Sequence, residues 1–249
     1  MNFSRFCFCS IIVLCISFSV CSNDYVEYSV PRVNWEPYWI ISDQNVSGVF
    51  SDLMKELDRR LDYNLKASVP LPVKRANWKF DNGGTVIECC INIAWRDVLD
   101  SEGTTLWTET VLDTAEVLVF PIGQGFPASH ISDLEGKSIA TILGYGYLGG
   151  DKFIRHDSQD NIAQFREVAR GLIDAAIIDQ YELRYMLKHE PRVQSIAGKF
   201  ELGPTISQSA LKMRIHSSRP ELLSPVNRAI KEMKSDGTVR RLLKKYIND

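Results

Sequence analysis

Cysteine is nearly absent from most of this chain. Of six cysteines in 249 residues, Cys7, Cys9, Cys15 and Cys21 crowd the start, and only the neighbours Cys89 and Cys90 follow. Beyond residue 22 this rules out a disulfide framework and a Cys-x-x-Cys metal site. Adjacent positions on a strand point to opposite faces, so two buried free thiols are expected at Cys89 and Cys90 rather than a vicinal disulfide. Histidine is equally sparse. His130, His156, His189 and His216 are scattered without ligand spacing; they read as surface residues, and no metal or cofactor is expected. An excess of positive charge is missing too: 29 Lys and Arg stand against 31 Asp and Glu, which is no footprint for nucleic acid. No low-complexity linker or repeat interrupts the chain.

A single long apolar run occurs, Phe6 to Val20, 15 residues without a charge. It is short for a membrane span. Arg5 precedes it and Val20-Cys21-Ser22 ends it, the layout of a secretory signal with cleavage expected before Asn23. A lipid anchor on Cys21 is the alternative, and Val20 fits it poorly. Removing residues 1–22 leaves 227 with a balance of 28 − 31 = −3. An exported chain of that length can bury its own core.

Strand-like and helix-like segments alternate. Tyr25 to Asn34 reads as a strand and Trp35-Glu-Pro-Tyr-Trp39 as an aromatic loop. After Gly48, the residues Phe50, Leu53, Met54, Leu57 and Leu61 recur at helical spacing. Strands are expected at Leu65 to Val69 and Val86 to Ile93, with a helix opening at Pro70 to Arg75 between them. Glu116 to Pro121 is an apolar run, and Leu134 to Leu143 a turn feeding a strand. Helical patterns follow at Asn161 to Arg170 and Gln180 to Lys188, a strand-like Ser209 to Ile215, and closing helices at Pro220 to Lys234 and Val239 to Ile247. Such alternation reads as a parallel-type α/β fold.

The most informative stretch is Gly171-Leu-Ile-Asp-Ala-Ala-Ile-Ile-Asp179. A glycine ends one helix, a buried-strand run follows, and a carboxylate stands at the strand's carboxyl end, where ligands bind in open α/β sheets. Asp179 either caps the next helix or accepts hydrogen bonds from a ligand ammonium group. Gly144-Tyr-Gly-Tyr-Leu-Gly149 matches a dinucleotide-binding pattern in form only, since no strand-end acid follows about 20 residues on. Asn45-Val-Ser47 fits a glycosylation sequon, relevant only in a eukaryote.

Several segments together resemble one family. Gly48-Val-Phe-Ser-Asp-Leu-Met-Lys-Glu-Leu57, Asp133-Leu-Glu-Gly-Lys-Ser-Ile139, the Gly171 to Asp179 stretch, and the ending Asn227-x-Ala-Ile…Asp236-Gly237…Lys-Lys-Tyr-Ile247 are similar, in order, to the extracellular solute-binding proteins of family 3, the amino-acid type. The resemblance implies an α/β type II periplasmic-binding-protein fold: two lobes, two hinge crossovers, and a ligand enclosed between the lobes. With crossovers near Glu116 to Gly123 and Leu202 to Ser207, lobe one is residues 23–118 plus 207–249 and lobe two is 119–206. Closure over a ligand follows when both lobes contact it.

The resemblance also assigns roles. Arg96, placed ahead of Thr108-Glu-Thr110, holds the position of the family's arginine, whose guanidinium fork matches a ligand carboxylate. Asp179 corresponds to the acid that meets an α-amino group, and Tyr38 and Trp39 to an aromatic wall, Trp39 equally suiting the core. The loop at Gly144 and Tyr145 stands where the family has a Gly-Ser/Thr pair; its backbone N–H groups suit an anion at a helix N-terminus. The strand before Arg96 is shorter than the family's and lacks its carboxylate-gripping threonine, with Asn92 as a possible substitute. The implied function is capture of a small polar, carboxylate-bearing solute and its delivery to an ABC transporter permease, in the periplasm, by a monomer without catalysis. The alternatives are an enzyme on the same fold, of the cyclohexadienyl dehydratase kind with Glu88 or Glu109 as general acid, and a ligand-sensing accessory protein.

Overall fold

A computed structural model describes residues 25–42, 45–95, 103–147 and 149–247. Residues 1–22, with the expected signal and Cys21, lie outside the described residues, as does Arg96. The first elements are β1 (Tyr25–Ser29), a small hairpin of β2 (Ile40–Ser42) and β3 (Asn45–Ser47), α1 (Val49–Arg60), β4 (Asn64–Ala67), α2 (Val73–Asp81) and β5 (Ile87–Ile91). Next come β6 (Thr105–Pro121), β7 (Ser138–Ile142), β8 (Ile154–Ser158), α3 (Asn161–Ala169), β9 (Ala175–Asp179), α4 (Gln180–His189) and α5 (Pro191–Gln194). The chain closes with β10 (Phe200–His216), α6 (Leu223–Ser235) and α7 (Thr238–Ile247). Among the described residues no helix is long and apolar enough to cross a membrane.

Eight strands form one sheet in the order β4-β1-β5-β10-β6-β9-β7-β8. The expectation of a parallel-type sheet is corrected here. Strands β4, β1 and β5 run parallel, as do β8, β7 and β9, but β6 and β10 are antiparallel to each other and to their flanking strands. These two strands are 17 residues each. Only their apolar ends were legible as strands, because buried threonines such as Thr108 and Thr114 interrupt the apolar pattern of β6.

Hydrophobic side chains gather in separate clusters. One holds Val26, Tyr38, Trp39, Phe50, Leu53, Met54, Leu57, Ile87, Leu211, Met213, Ile230 and Met233 among others. Two more, on either face of the β7–β9 end of the sheet, are built from residues between Leu118 and Ile206. Strands β6 and β10 run from the first cluster into the other two. The segments expected as crossovers pair with one another there, Glu116 opposite Ser207 and Val119 opposite Leu202, with register shifts at Leu202/Thr205 and Thr205/Ser207.

Helix α1 shows how local chemistry places a loop. Its apolar stripe Phe50, Leu53, Met54 and Leu57 is buried, Asp52 sits in the first turn, and Arg59 and Arg60 in the last, each matching the helix dipole. Gly48 precedes it at φ 105°, and a Cβ there would come within 2.8 Å of the Pro37 carbonyl oxygen and closer still to that of Tyr38. Only glycine allows that approach. The N–H groups of Val49 and Phe50 can then donate to the carbonyls of Pro37 (2.9 Å) and Tyr38 (3.0 Å).

Two further expectations are corrected. Cys89 and Cys90 are joined in a disulfide across a cis peptide bond; the period-of-two reading presumed a regular trans strand. His216 is not a plain surface residue, since its half-buried ring meets Phe80 edge-on at 5.6 Å.

Candidate functional site

The aromatic loop Trp35–Trp39 is closed on itself by paired backbone bonds, Trp35 N–H to Trp39 C=O and the reverse, both 2.9 Å. Trp35 packs 4.5 Å from Tyr38, and Tyr38 stacks on Phe50 at 4.8 Å. Trp95 meets Trp35 edge-on at 5.8 Å. These rings end the first-cluster half of the molecule. Trp39 points into the core, 1 % exposed, with its indole N–H donating to the Cys89 carbonyl at 3.2 Å. The aromatic-wall alternative for Trp39 is thereby corrected to the core one; Tyr38, though buried, keeps its hydroxyl at the boundary.

From the other half, β9 ends at Asp179 and α4 begins. Both sequence readings of Asp179 bear on its geometry. It caps α4, accepting from the N–H of Tyr181 (2.8 Å) and Glu182 (3.2 Å). The same carboxylate accepts the Tyr38 hydroxyl at 2.9 Å and the Thr114 hydroxyl at 2.5 Å. Three residues on, Glu182 is 5 % exposed and accepts from the Trp35 indole N–H and, at 2.5 Å, from the Asn161 amide. Glu116 lies directly across from Asp179 in the β6–β9 ladder and accepts the Ser207 hydroxyl at 2.6 Å.

Three carboxylates thus converge where the halves meet. Among the described residues none of the three forms an ion pair with a lysine or arginine. Burial pushes each carboxyl above its ordinary range. For Asp179 its hydrogen-bond donors, led by Thr114, pull back against burial, and for Glu116 the Ser207 hydroxyl does so. Burial, then the Asp179 charge, push Glu182 up to about 8. The phenols respond in the same sense: burial, then the charge of Asp179, raise Tyr38 well above its ordinary value, and burial, then Glu182, raise Tyr145. The ensemble suits a positively charged or multiply donating group.

The other residues expected at a site are placed elsewhere or differently. Gly144 (φ 85°) and Tyr145 form a turn in which the Tyr145 N–H donates to the Ile142 carbonyl at 3.1 Å, and the next described helix is α3. The anion site at a helix N-terminus is therefore corrected: no helix starts at that loop among the described residues. Asn92 accepts from the Ala94 N–H at 2.9 Å. Glu88 is buried against Arg214, and Glu109 is exposed, 3.6 Å from Lys231. Trp35, Thr114, Glu116, Asn161 and Glu182 were missed as site residues. For Glu182 a signal existed, an acid three residues after a cap; it turns to Trp35 and Asn161 instead of reaching back to the cap. Among the described residues no group of His, Cys, Asp and Glu could hold a metal ion.

No protein-family model matches the chain. It is 27 % identical over 127 residues to the probable amino-acid-binding protein YxeM of Bacillus subtilis, covering 48 % of this chain and 47 % of that one. It is 25 % identical over 122 residues to the L-cystine-binding protein TcyJ of Escherichia coli, covering 46 % and 43 %. The matched region thus spans about half the length of these curated relatives. Among solved structures, the GluR0 ligand-binding core in complex with L-glutamate superposes with a TM-score of 0.72 at 12 % identity, over 91 % of this chain and all of that one. The ArgBP of T. maritima does so at 0.66 and 19 %, over 90 % and 96 %. The fold is that of the two-lobed periplasmic binding proteins.

The resemblance to family 3 solute-binding proteins read from the four motifs is borne out by these relatives and neighbours. Trp35, Tyr38 and Thr114 donate to the carboxylates of Asp179 and Glu182, which stand at the end of β9 and in the first turn of α4. A further contact joins the α4 end to α7, His189 Nε2 lying 3.0 Å from the Tyr246 carbonyl.

Proposed function

We propose that the protein captures a small polar solute bearing a carboxylate, an amino acid or a near relative, by lobe closure, and delivers it to a membrane transporter. The observation that carries this reading is the reach of Tyr38 and Trp35 onto Asp179 and Glu182 across the cleft. A cleft whose walls come from both lobes couples binding to closure. The names of the relatives, amino-acid-binding and L-cystine-binding, support the solute class. They name binding proteins, in keeping with no bond being made or broken here. Lobe one is residues 23–118 plus 207–249 and lobe two 119–206; the core clusters support this division except at Val117 and Leu118, which pack with the second lobe. Arg96 follows Trp95 directly in sequence and serves as the carboxylate anchor; Asp179 and Tyr38 take the amino end, and Gly144 and Tyr145 border the cleft. The chain is exported by its first 22 residues to the periplasm, where a monomer meets an ABC transporter permease.

The test is thermal unfolding of residues 23–249 against amino acids, dicarboxylates and aromatic acids, with Arg96→Ala alongside. A ligand at 100 times its dissociation constant should add about 2.7 kcal/mol. A hit lost in the variant supports both solute class and anchor. No stabilisation by any of the panel overturns the reading.

A further inference from the structure

We infer that a groove along α6 is a separate binding site, and that it takes a phosphate ester with a hydroxylated body. A free sugar phosphate and the glycerol-phosphate headgroup of a lipid share that chemistry. The groove has no residue in common with the site around Asp179, so this inference stands or falls apart from the solute-capture reading.

Two cavities adjoin along the helix. The first, of about 550 Å³, is lined by Pro220, Leu223, Ser224, Asn227, Arg228 and Lys231. The second, of about 600 Å³, has Glu109, Asp113, Lys234 and Ser235 on its walls, and again Lys231. Lys231 borders both, which makes them one groove, and each is large enough for a small organic molecule.

The two parts differ in charge. The first holds two cations and no acid. Among the described residues Arg228 forms no ion pair, although Glu232 follows it by four positions. Lys231 has Glu109 at 3.6 Å, but these side chains are 69 % and 54 % exposed, and such a pair is worth little. The remaining polar groups are donors as well. Asn227 Oδ1 accepts the Glu109 N–H at 2.8 Å, which leaves its amide NH₂ as a donor, and Ser224 supplies a hydroxyl one turn before Arg228. A guanidinium fork, an ammonium, an amide and a hydroxyl together match a phosphate group, which brings three acceptor oxygens and nearly two negative charges. A carboxylate brings one charge and two oxygens, and leaves one cation of the pair uncompensated.

The second part is balanced. Glu109 and Asp113 accept, while Ser235 and Lys234 donate; Lys234 gives one of its three protons to the Thr110 carbonyl at 3.0 Å and keeps two. Acceptors and donors side by side suit hydroxyl groups, each of which does both. The ester's phosphate therefore belongs against Arg228 and its hydroxylated body beyond Lys231.

Calorimetric titration of the purified protein with D-glucose 6-phosphate, with D-glucose as the uncharged control, tests the free source. Flotation with vesicles of phosphatidylglycerol or phosphatidylcholine tests the lipid one. Glucose 6-phosphate should bind at least about tenfold tighter than glucose, and more weakly as salt is raised. Arg228→Ala should weaken it at least about tenfold, and Arg228→Lys, which keeps the charge and loses the fork, by less. Flotation with phosphatidylglycerol alone, lost in Arg228→Ala while glucose 6-phosphate stays silent, supports the site and makes a lipid headgroup its occupant. Neither probe bound, glucose bound as tightly as its phosphate, both vesicles floated alike, or binding that survives Arg228→Ala each overturns the inference. Arg228 is exposed, so both variants should keep the wild-type melting temperature and solute capture.

Discussion

Raising the pH should open the cleft. Glu182 is buried beside Asp179 and pushed from an ordinary 4.5 up to about 8. An acid whose folded value is raised stabilises the folded, closed form fully below its ordinary value, and that contribution is lost as pH rises through the raised one. The window therefore runs from about 4.5 to about 8, at 1.36 kcal/mol per pH unit. The upper bound is about 5 kcal/mol if opening rehydrates the carboxyl completely. The remaining titratable groups facing it either act in the same sense or stay neutral. Burial raises Asp179 and Glu116 as well, and Tyr38, Tyr145 and Tyr147 are all raised above the ordinary tyrosine value. Trp35 and Asn161, its hydrogen-bond partners, do not titrate.

The assay is small-angle scattering of the solute-free protein between pH 5 and 9, for wild type and Glu182→Gln. Wild type should expand as pH passes from 6 to 9, and the variant, which never acquires the charge, should expand much less. An unchanged radius in the wild type, or equal expansion in both proteins, would refute the claim that ionisation of Glu182 opposes closure.

Three other outcomes follow from the packing. Tyr38→Phe removes one donor from the buried Asp179 and should cost about 1.5–3 kcal/mol in a urea melt, with weaker solute binding; an unchanged midpoint would deny the Tyr38–Asp179 bond its part in closure. Gly48→Ala forces a Cβ against the Pro37 and Tyr38 carbonyls at φ 105° and should cost about 1–3 kcal/mol, moving the Trp35–Trp39 loop, which the fluorescence of Trp35 would report. Arg214→Ala leaves Glu88 buried without its guanidinium, which also lies 3.9 Å from the centre of the Phe80 ring; unfolding free energy should fall by about 3–5 kcal/mol.

What was legible in the sequence was local. Phe50, Leu53, Met54 and Leu57 announce α1 within a residue of its bounds, and Gly171 to Asp179 announces β9 and its terminal acid, because burial of one stripe or one strand writes a short-range pattern. The long strands β6 and β10 were only half legible. Each passes from one core cluster to the others, so its surroundings change along its length and no single period persists. The hairpin of β2 and β3 and strand β8 were missed for a simpler reason: each is short and largely exposed or half-buried, and so leaves little apolar signature.

The site divides along the same line. Asp179 could be found because its position relative to its own strand and helix fixes it, whichever role it plays. Glu182 could not. Its neighbours in the chain make it an ordinary acid in the first turn of α4, a place where a carboxylate is favourable for the helix dipole alone. Its character comes from Trp35, 147 residues away, and from Asn161, 21 residues away, and neither distance leaves a mark in a local pattern. A cleft that closes between two lobes is built from such pairs: the residues that read the solute are the ones whose partners the chain brings in last. The Trp35–Glu182 pair is the plainest case, since it joins residues 147 apart in the chain at a carboxylate that is almost wholly buried.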